Sequence, residues 1–124
     1  MKLYPITENH LYAKTFSKGK RAGTRLISVS VLKDYKAEKL RRANPQKEFF
    51  NRVGLSVGKK VGNAVVRNRV KRIIREAYRQ TEKEYNISRG YLVVIAAREA
   101  AGKVKTEDIK RDLRYALGKL GMLK

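Results

Sequence analysis

Residues 59–79, KKVGNAVVRNRVKRIIREAYR, constrain the fold most, because they specify one helix with two unlike faces. Wound at about 100° per residue, Val66, Val70, Ile73, Ile74, Ala77 and Tyr78 fall on one arc. Arg67, Asn68, Arg69, Lys71, Arg72, Arg75 and Arg79 sweep most of the opposite side. The helix is expected from about Ala64 to Glu84, entered through Gly62-Asn63 with Asn63 as its N-cap. Its apolar arc must be covered by other elements, so the rest of the chain has to supply a docking surface.

Periodicity elsewhere supplies that surface. Residues 8–18 place Leu11, Tyr12, Thr15 and Phe16 at helical spacings, with Gly19 as the stop. Residues 24–33 predict a strand whose Ile27, Val29 and Val31 share one face, and whose Leu26, Ser28, Ser30 and Leu32 share the other. A second strand is expected at 52–57, where Val53, Leu55 and Val57 alternate with Gly54 and Ser56. A third is YLVVIAA at 91–97, after Gly90. A last helix starts near Thr106, with Glu107 and Asp108 at its positive end and Ile109, Leu113, Ala116, Leu117 and Leu120 as its buried stripe. The stretch 33–50 holds a proline, mixed charges and no clean period, and is expected to be a long basic loop. The alternation predicts an α+β fold, an α-β sandwich with three helices on a small sheet. At 124 residues the chain suits one domain, 1–124.

One sheet face is then apolar, while Ser28, Ser30, Gly54 and Ser56 make the other small, polar and uncharged. Such a face is not expected to form a dry core. It is either solvated, as half-exposed antiparallel sheets often are, or the floor of a groove in which an extended ligand lies close. The aromatics of the first helix would wall such a groove.

Charge narrows the partner. The chain carries 31 Lys+Arg against 11 Asp+Glu, a formal net charge of +20. Segment 59–79 alone holds eight Lys/Arg and one acid, Glu76. Ordinary solvated helix faces mix signs, because like charges at i,i+4 cost a few tenths of a kcal/mol per pair. Here Arg67, Lys71 and Arg75 repel one another at successive i,i+4 positions. A row of phosphates opposite that arc accounts for the arrangement better than solubility does. Arginine dominates over lysine, which suits forked hydrogen bonds to phosphate and stacking on bases. No apolar run approaches the ~20 residues a bilayer span requires, and no signal-peptide pattern opens the chain. Cysteine is absent, so disulfides and thiolate metal sites are excluded.

Residues 54–72 also carry a family pattern: Gly-Leu-Ser-Val-x-Lys-Lys-Val-Gly-Asn-Ala-Val-x-Arg-Asn-Arg-x-Lys-Arg. It resembles the hallmark of the bacterial ribonuclease P protein component, and the order of elements around it fits that family over almost the whole chain. The resemblance implies a βαβ crossover through the basic helix in a mixed sheet, left-handed and joining parallel strands at 52–57 and 90–97. Such handedness is rare, since about 98% of these connections are right-handed. The resemblance further implies that Lys59, Lys60, Asn63, Arg67, Asn68, Arg69, Lys71, Arg72 and Arg75 contact the catalytic RNA. It implies that a cleft between the first helix and the sheet receives the single-stranded 5′ leader of precursor tRNA. Tyr12 and Phe16 occupy the aromatic positions of that cleft, above Ser28, Ser30 and Ser56. The bland alternative for both rings is core packing. Ser30 departs from the pattern, standing where some members have an aromatic. The implied partners are the RNA subunit and precursor tRNA, without membrane or DNA, in the cytoplasm. Mg²⁺ would act through the RNA, and no organic cofactor is implied.

Two other classes fit the sequence less well. A nuclease acting alone needs converging carboxylates or an acid–base pair. The acids are scattered, grouping only at Glu82/Glu84 and Glu107/Asp108/Asp112, and His10 is the only histidine, read as an exposed residue at a helix start. A ribosomal protein would share the basic composition and α+β fold, but the long basic tail usual in that class is not seen. No catalytic or metal-binding residue is expected in this chain.

Overall fold

The computed structural model describes residues 4–36, 39, 43 and 51–123. Five strands are ordered β1-β4-β5-β3-β2 in one mixed sheet. They are β1 (Tyr4–Pro5), β2 (Lys20–Gly23), β3 (Ile27–Lys33), β4 (Arg52–Ser56) and β5 (Tyr91–Ala97). The labelled helices are α1 (Asn9–Lys18), α2 (Ala64–Glu84) and α3 (Thr106–Lys119). Short 3-10 turns at Lys59–Val61 and Glu99–Lys103 precede α2 and α3. The expected α+β architecture is present. β4 and β5 are parallel neighbours and α2 connects them, giving the βαβ unit through the basic helix.

The main core lies between one sheet face and the helices α2 and α3. Val53, Val93, Ile95, Val29 and Val31 supply the sheet side. Val70, Ile74, Ala77 and Tyr78 come from α2, and Ile109, Leu113, Ala116 and Leu117 from α3. These are the arcs that the 3.6-residue period selects. At one end of this core Asn51 ties three elements together. Its Nδ2 donates to Tyr78 Oη (3.2 Å) and Ser88 O (2.8 Å), and its Oδ1 accepts from Tyr91 N (2.9 Å). Burial pushes the Tyr78 hydroxyl pKa up.

The structure corrects three expectations. The strand at 24–33 begins at Ile27, because Thr24 Oγ1 accepts from Leu26 N and Ile27 N and closes a turn. Leu26 therefore joins the main core instead of the opposite face. Beyond that turn lies the unpredicted edge strand β2, paired antiparallel with β3. Next, the serine-bearing face is only partly polar. β5 is central, and Leu92 and Val94 emerge on that face to meet Ile6, Leu11, Tyr12 and Leu32 in a second small core. A strand flanked by neighbours and covered on both faces reads as a continuous apolar run, as Leu92–Ile95 does. Last, the expected loop at 33–50 is helical at Tyr35, Lys36, Lys39 and Ala43. Asp34 Oδ1 accepts from Lys36 N at the start of this stretch. The rest of 33–50 lies outside the described residues.

Candidate RNA interface

α2 presents its cations as expected. Asn63 caps it, its Oδ1 accepting from Val66 N at 3.0 Å. Asn68, Arg72 and Arg75 are exposed and Arg67 and Lys71 half-buried. With Val65, which is 77% exposed, Asn68, Lys71, Arg72 and Arg75 line an open concavity along the helix. The one acid of this segment, Glu76, is engaged by Arg79 at 3.1 Å and by Gln80. Arg67, Lys71, Arg72 and Arg75 have no ion-pair partner among the described residues. Arg67 Nε is buried with no hydrogen-bond partner there either. Lys59 and Lys60 stand exposed on the turn before the helix. Arg69 is different. Its Nη1 and Nη2 donate to the carbonyls of Gly102 (3.3 Å) and Val104 (3.0 Å).

The groove lies on the other sheet face, beneath α1. Strand register places Gly54, Val94, Ser30 and Arg21 in one row across it, and Ser56, Ala96, Ser28 and Gly23 in the next. Tyr12 and Phe16 do not play equal parts. The Tyr12 ring lies on Gly54 so closely that a Cβ there would sit 2.6 Å from it. Phe16 is 41% exposed. Ser28 and Ser56 are half-buried, while Ser30 is buried with its hydroxyl unpartnered among the described residues. Arg98 was missed from sequence. A Cβ on Gly23 would meet its Nη2 at 2.5 Å, so the guanidinium lies over the groove floor beside Ser28. Strand parity from Ala96 through Arg98 would have found it, and Arg21 too, had β2 been recognised.

The far end of the groove is closed by ion pairs. Arg52 grips Asp34 with two bonds (Nε–Oδ2 2.7 Å, Nη2–Oδ1 2.9 Å) and reaches Glu8 at 3.3 Å. Hydrogen bonding to Asp34 raises the Arg52 pKa above its ordinary value. A pocket there is lined by His10, Leu11, Lys14, Leu32 and Tyr35. His10 is exposed in the first turn of α1, as expected. No helix among the described residues is long and apolar enough to cross a membrane.

An arginine-faced helix on a mixed sheet, with a groove of small residues behind it, defines a protein of the RNA-binding α+β class. The ribonuclease P family model matches residues 1–121. The ribonuclease P protein component of Oceanobacillus iheyensis is 37% identical over 99% of this chain and 91% of its own length. That of Clostridium botulinum (strain Langeland) is 36% identical over 98% of both. A solved Staphylococcus aureus RNase P protein superposes with a TM-score of 0.77 at 26% identity, covering 99% of this chain and all of that one. A mutant of the S. aureus protein, described as defective in mRNA degradation activity, superposes with a TM-score of 0.77 at 27% identity, covering 96% and 89%. The chain belongs to the bacterial ribonuclease P protein family. It is the protein component of an endoribonuclease that matures the 5′ end of precursor tRNA, and its partner is the ribonuclease P RNA.

Proposed function

We propose that residues 1–124 act as one RNA-binding domain with two RNA surfaces, and that the chain assists the RNA subunit without performing the cleavage. The observation that carries this reading is the arc of Arg67, Lys71, Arg72 and Arg75, unpaired by any acid among the described residues. That arc, with Lys59, Lys60 and Asn68, faces the catalytic RNA. Asn63 serves it as the helix cap. The groove takes the single-stranded 5′ leader: Phe16 stacks a base, Ser28, Ser30 and Ser56 let the strand lie close, and Arg21 and Arg98 meet its phosphates. Stacking of this kind is worth about 1–3 kcal/mol per base. Mg²⁺ belongs to the RNA, and the work is cytoplasmic.

Bringing a tRNA precursor against a large folded RNA opposes many phosphates, and divalent ions screen them when no protein does. Reconstitution with a bacterial ribonuclease P RNA tests the proposal. The protein is expected to lower the Mg²⁺ midpoint of cleavage, more for leaders of several nucleotides than for a leader of one. An unmoved midpoint overturns the accessory role, and an equal shift for both substrates overturns the leader groove. The protein alone is assayed on precursor tRNA and, given the activity named for the S. aureus protein, on an mRNA. A mature 5′ end produced by the protein alone would place the chemistry in this chain.

A further inference from the structure

Arg69 closes the triplet Arg67-Asn68-Arg69, yet its guanidinium is turned to the chain itself. The carbonyls it holds, of Gly102 and Val104, belong to the turn Glu99–Lys103 and the residue after it. That turn packs against the other one, Lys59–Val61. A Cβ added to Gly102 would stand 2.6 Å from the Val61 carbonyl oxygen, a contact that backbone cannot yield without moving. Val61 and Ala101 are both buried in the main core beneath the two turns. The two turns and the first part of α2 thus form one braced unit. Lys59 and Lys60 are exposed on its first turn, and Lys103 and Lys105 are exposed on and just beyond its second. Lys105 bonds through its backbone, whose N–H donates to Asp108 Oδ2 at 3.0 Å, and neither lysine has an ion pair among the described residues.

We infer that Arg69 is a positioning residue that locks the second turn beside the first, so that Lys103 and Lys105 extend the phosphate-binding surface begun by Lys59, Lys60 and the α2 arc. Two of the five N–H donors of Arg69 are committed to carbonyls of the second turn and the residue after it, which fixes the guanidinium against that turn. The glycine at 102 allows the close approach that the brace requires. The inference rests on α2 facing RNA, and the test separates the two.

Binding of the full chain to ribonuclease P RNA is measured across a range of salt for six variants. Lys103→Ala/Lys105→Ala is expected to weaken binding and to flatten the log–log salt dependence by about 0.7–0.9 per lost phosphate contact. Gly102→Ala removes no charge, yet is expected to weaken binding as Arg69→Ala does. In the background of Lys103→Ala/Lys105→Ala, Arg69→Ala is expected to add little, because the lysines it positions are already gone. Arg69→Lys, which keeps the charge but loses the fork, is expected to behave like Arg69→Ala. Full rescue by lysine, or an undiminished effect of Arg69→Ala in the double background, would make Arg69 an RNA contact and overturn the inference. An unchanged slope in Lys103→Ala/Lys105→Ala overturns it as well. Arg72→Ala serves as the control. If it too leaves binding unchanged, the α2 reading has failed; if it weakens binding while the lysine pair does not, only the extension has failed.

Discussion

Tyr12 and Phe16 lie four residues apart on one helix, yet they are different kinds of residue. Tyr12 covers Gly54 and belongs to the small second core, so removing it uncovers sheet backbone. Phe16 keeps 41% of its surface exposed and has less packing to lose. Phe16→Ala should therefore lower the melting temperature only slightly, well short of the ~3–5 kcal/mol that a buried Phe costs on truncation. It should weaken binding of precursor tRNA to the holoenzyme by about 1–3 kcal/mol while sparing mature tRNA, if one base stacks on it. Equal losses for both RNAs would place Phe16 outside the leader groove.

At the scale of an element, α2 tolerates charge that its own stability opposes. Its arc sets Arg67, Lys71 and Arg75 at i,i+4 spacing, and Glu76 is engaged by Arg79 and Gln80 rather than by that arc. Ser/Thr/Asn capping by Asn63 and burial of Val70, Ile74, Ala77 and Tyr78 offset the repulsion. Replacing Arg72 and Arg75 by Ala removes like-charge contacts worth about 0.2–0.5 kcal/mol each and introduces the best helix former. Without RNA the variant should melt at the same temperature as the parent or slightly above it. Its affinity for the catalytic RNA should fall, with a flatter salt dependence, by about 0.7–0.9 in slope per contact. A variant that melts lower and binds RNA normally would show that this face serves the fold.

Over the whole molecule, a formal net charge of +20 on 124 residues opposes compaction wherever no polyanion is bound. Ion pairs such as Arg52–Asp34 and Arg52–Glu8 relieve this only locally. Added NaCl shortens the Debye length from about 30 Å at 0.01 M to about 8 Å at 0.15 M. The free protein should therefore melt at rising temperature across that range, while its affinity for RNA falls. The opposite response of melting, a decrease with salt, would mean that local ion pairs outweigh the global repulsion. The same repulsion gives RNA binding a stabilising role for the fold itself, since a ligand of the native state raises its stability by mass action.

The sequence by itself determined the features that depend on neighbours along the chain. The period of 64–84 specifies both what α2 buries and what it exposes, Asn63 announces its start, and the 54–72 pattern announces the family. The strand at 91–97 and the start of α3 at Thr106 were legible for the same reason. Tertiary structure decided what depends on residues far apart. β2 is too short to announce itself and exists because β3 offers an edge. The serine face became half core only when β5 took the centre of the sheet. Arg98 reached the groove because Gly23, 75 residues earlier, leaves room for its guanidinium. Arg69 donates to two carbonyls 33 and 35 residues away, a pairing that no local period announces. Helical and strand periods are local and survive in one sequence. Which carbonyls a guanidinium meets is decided only when the chain closes on itself.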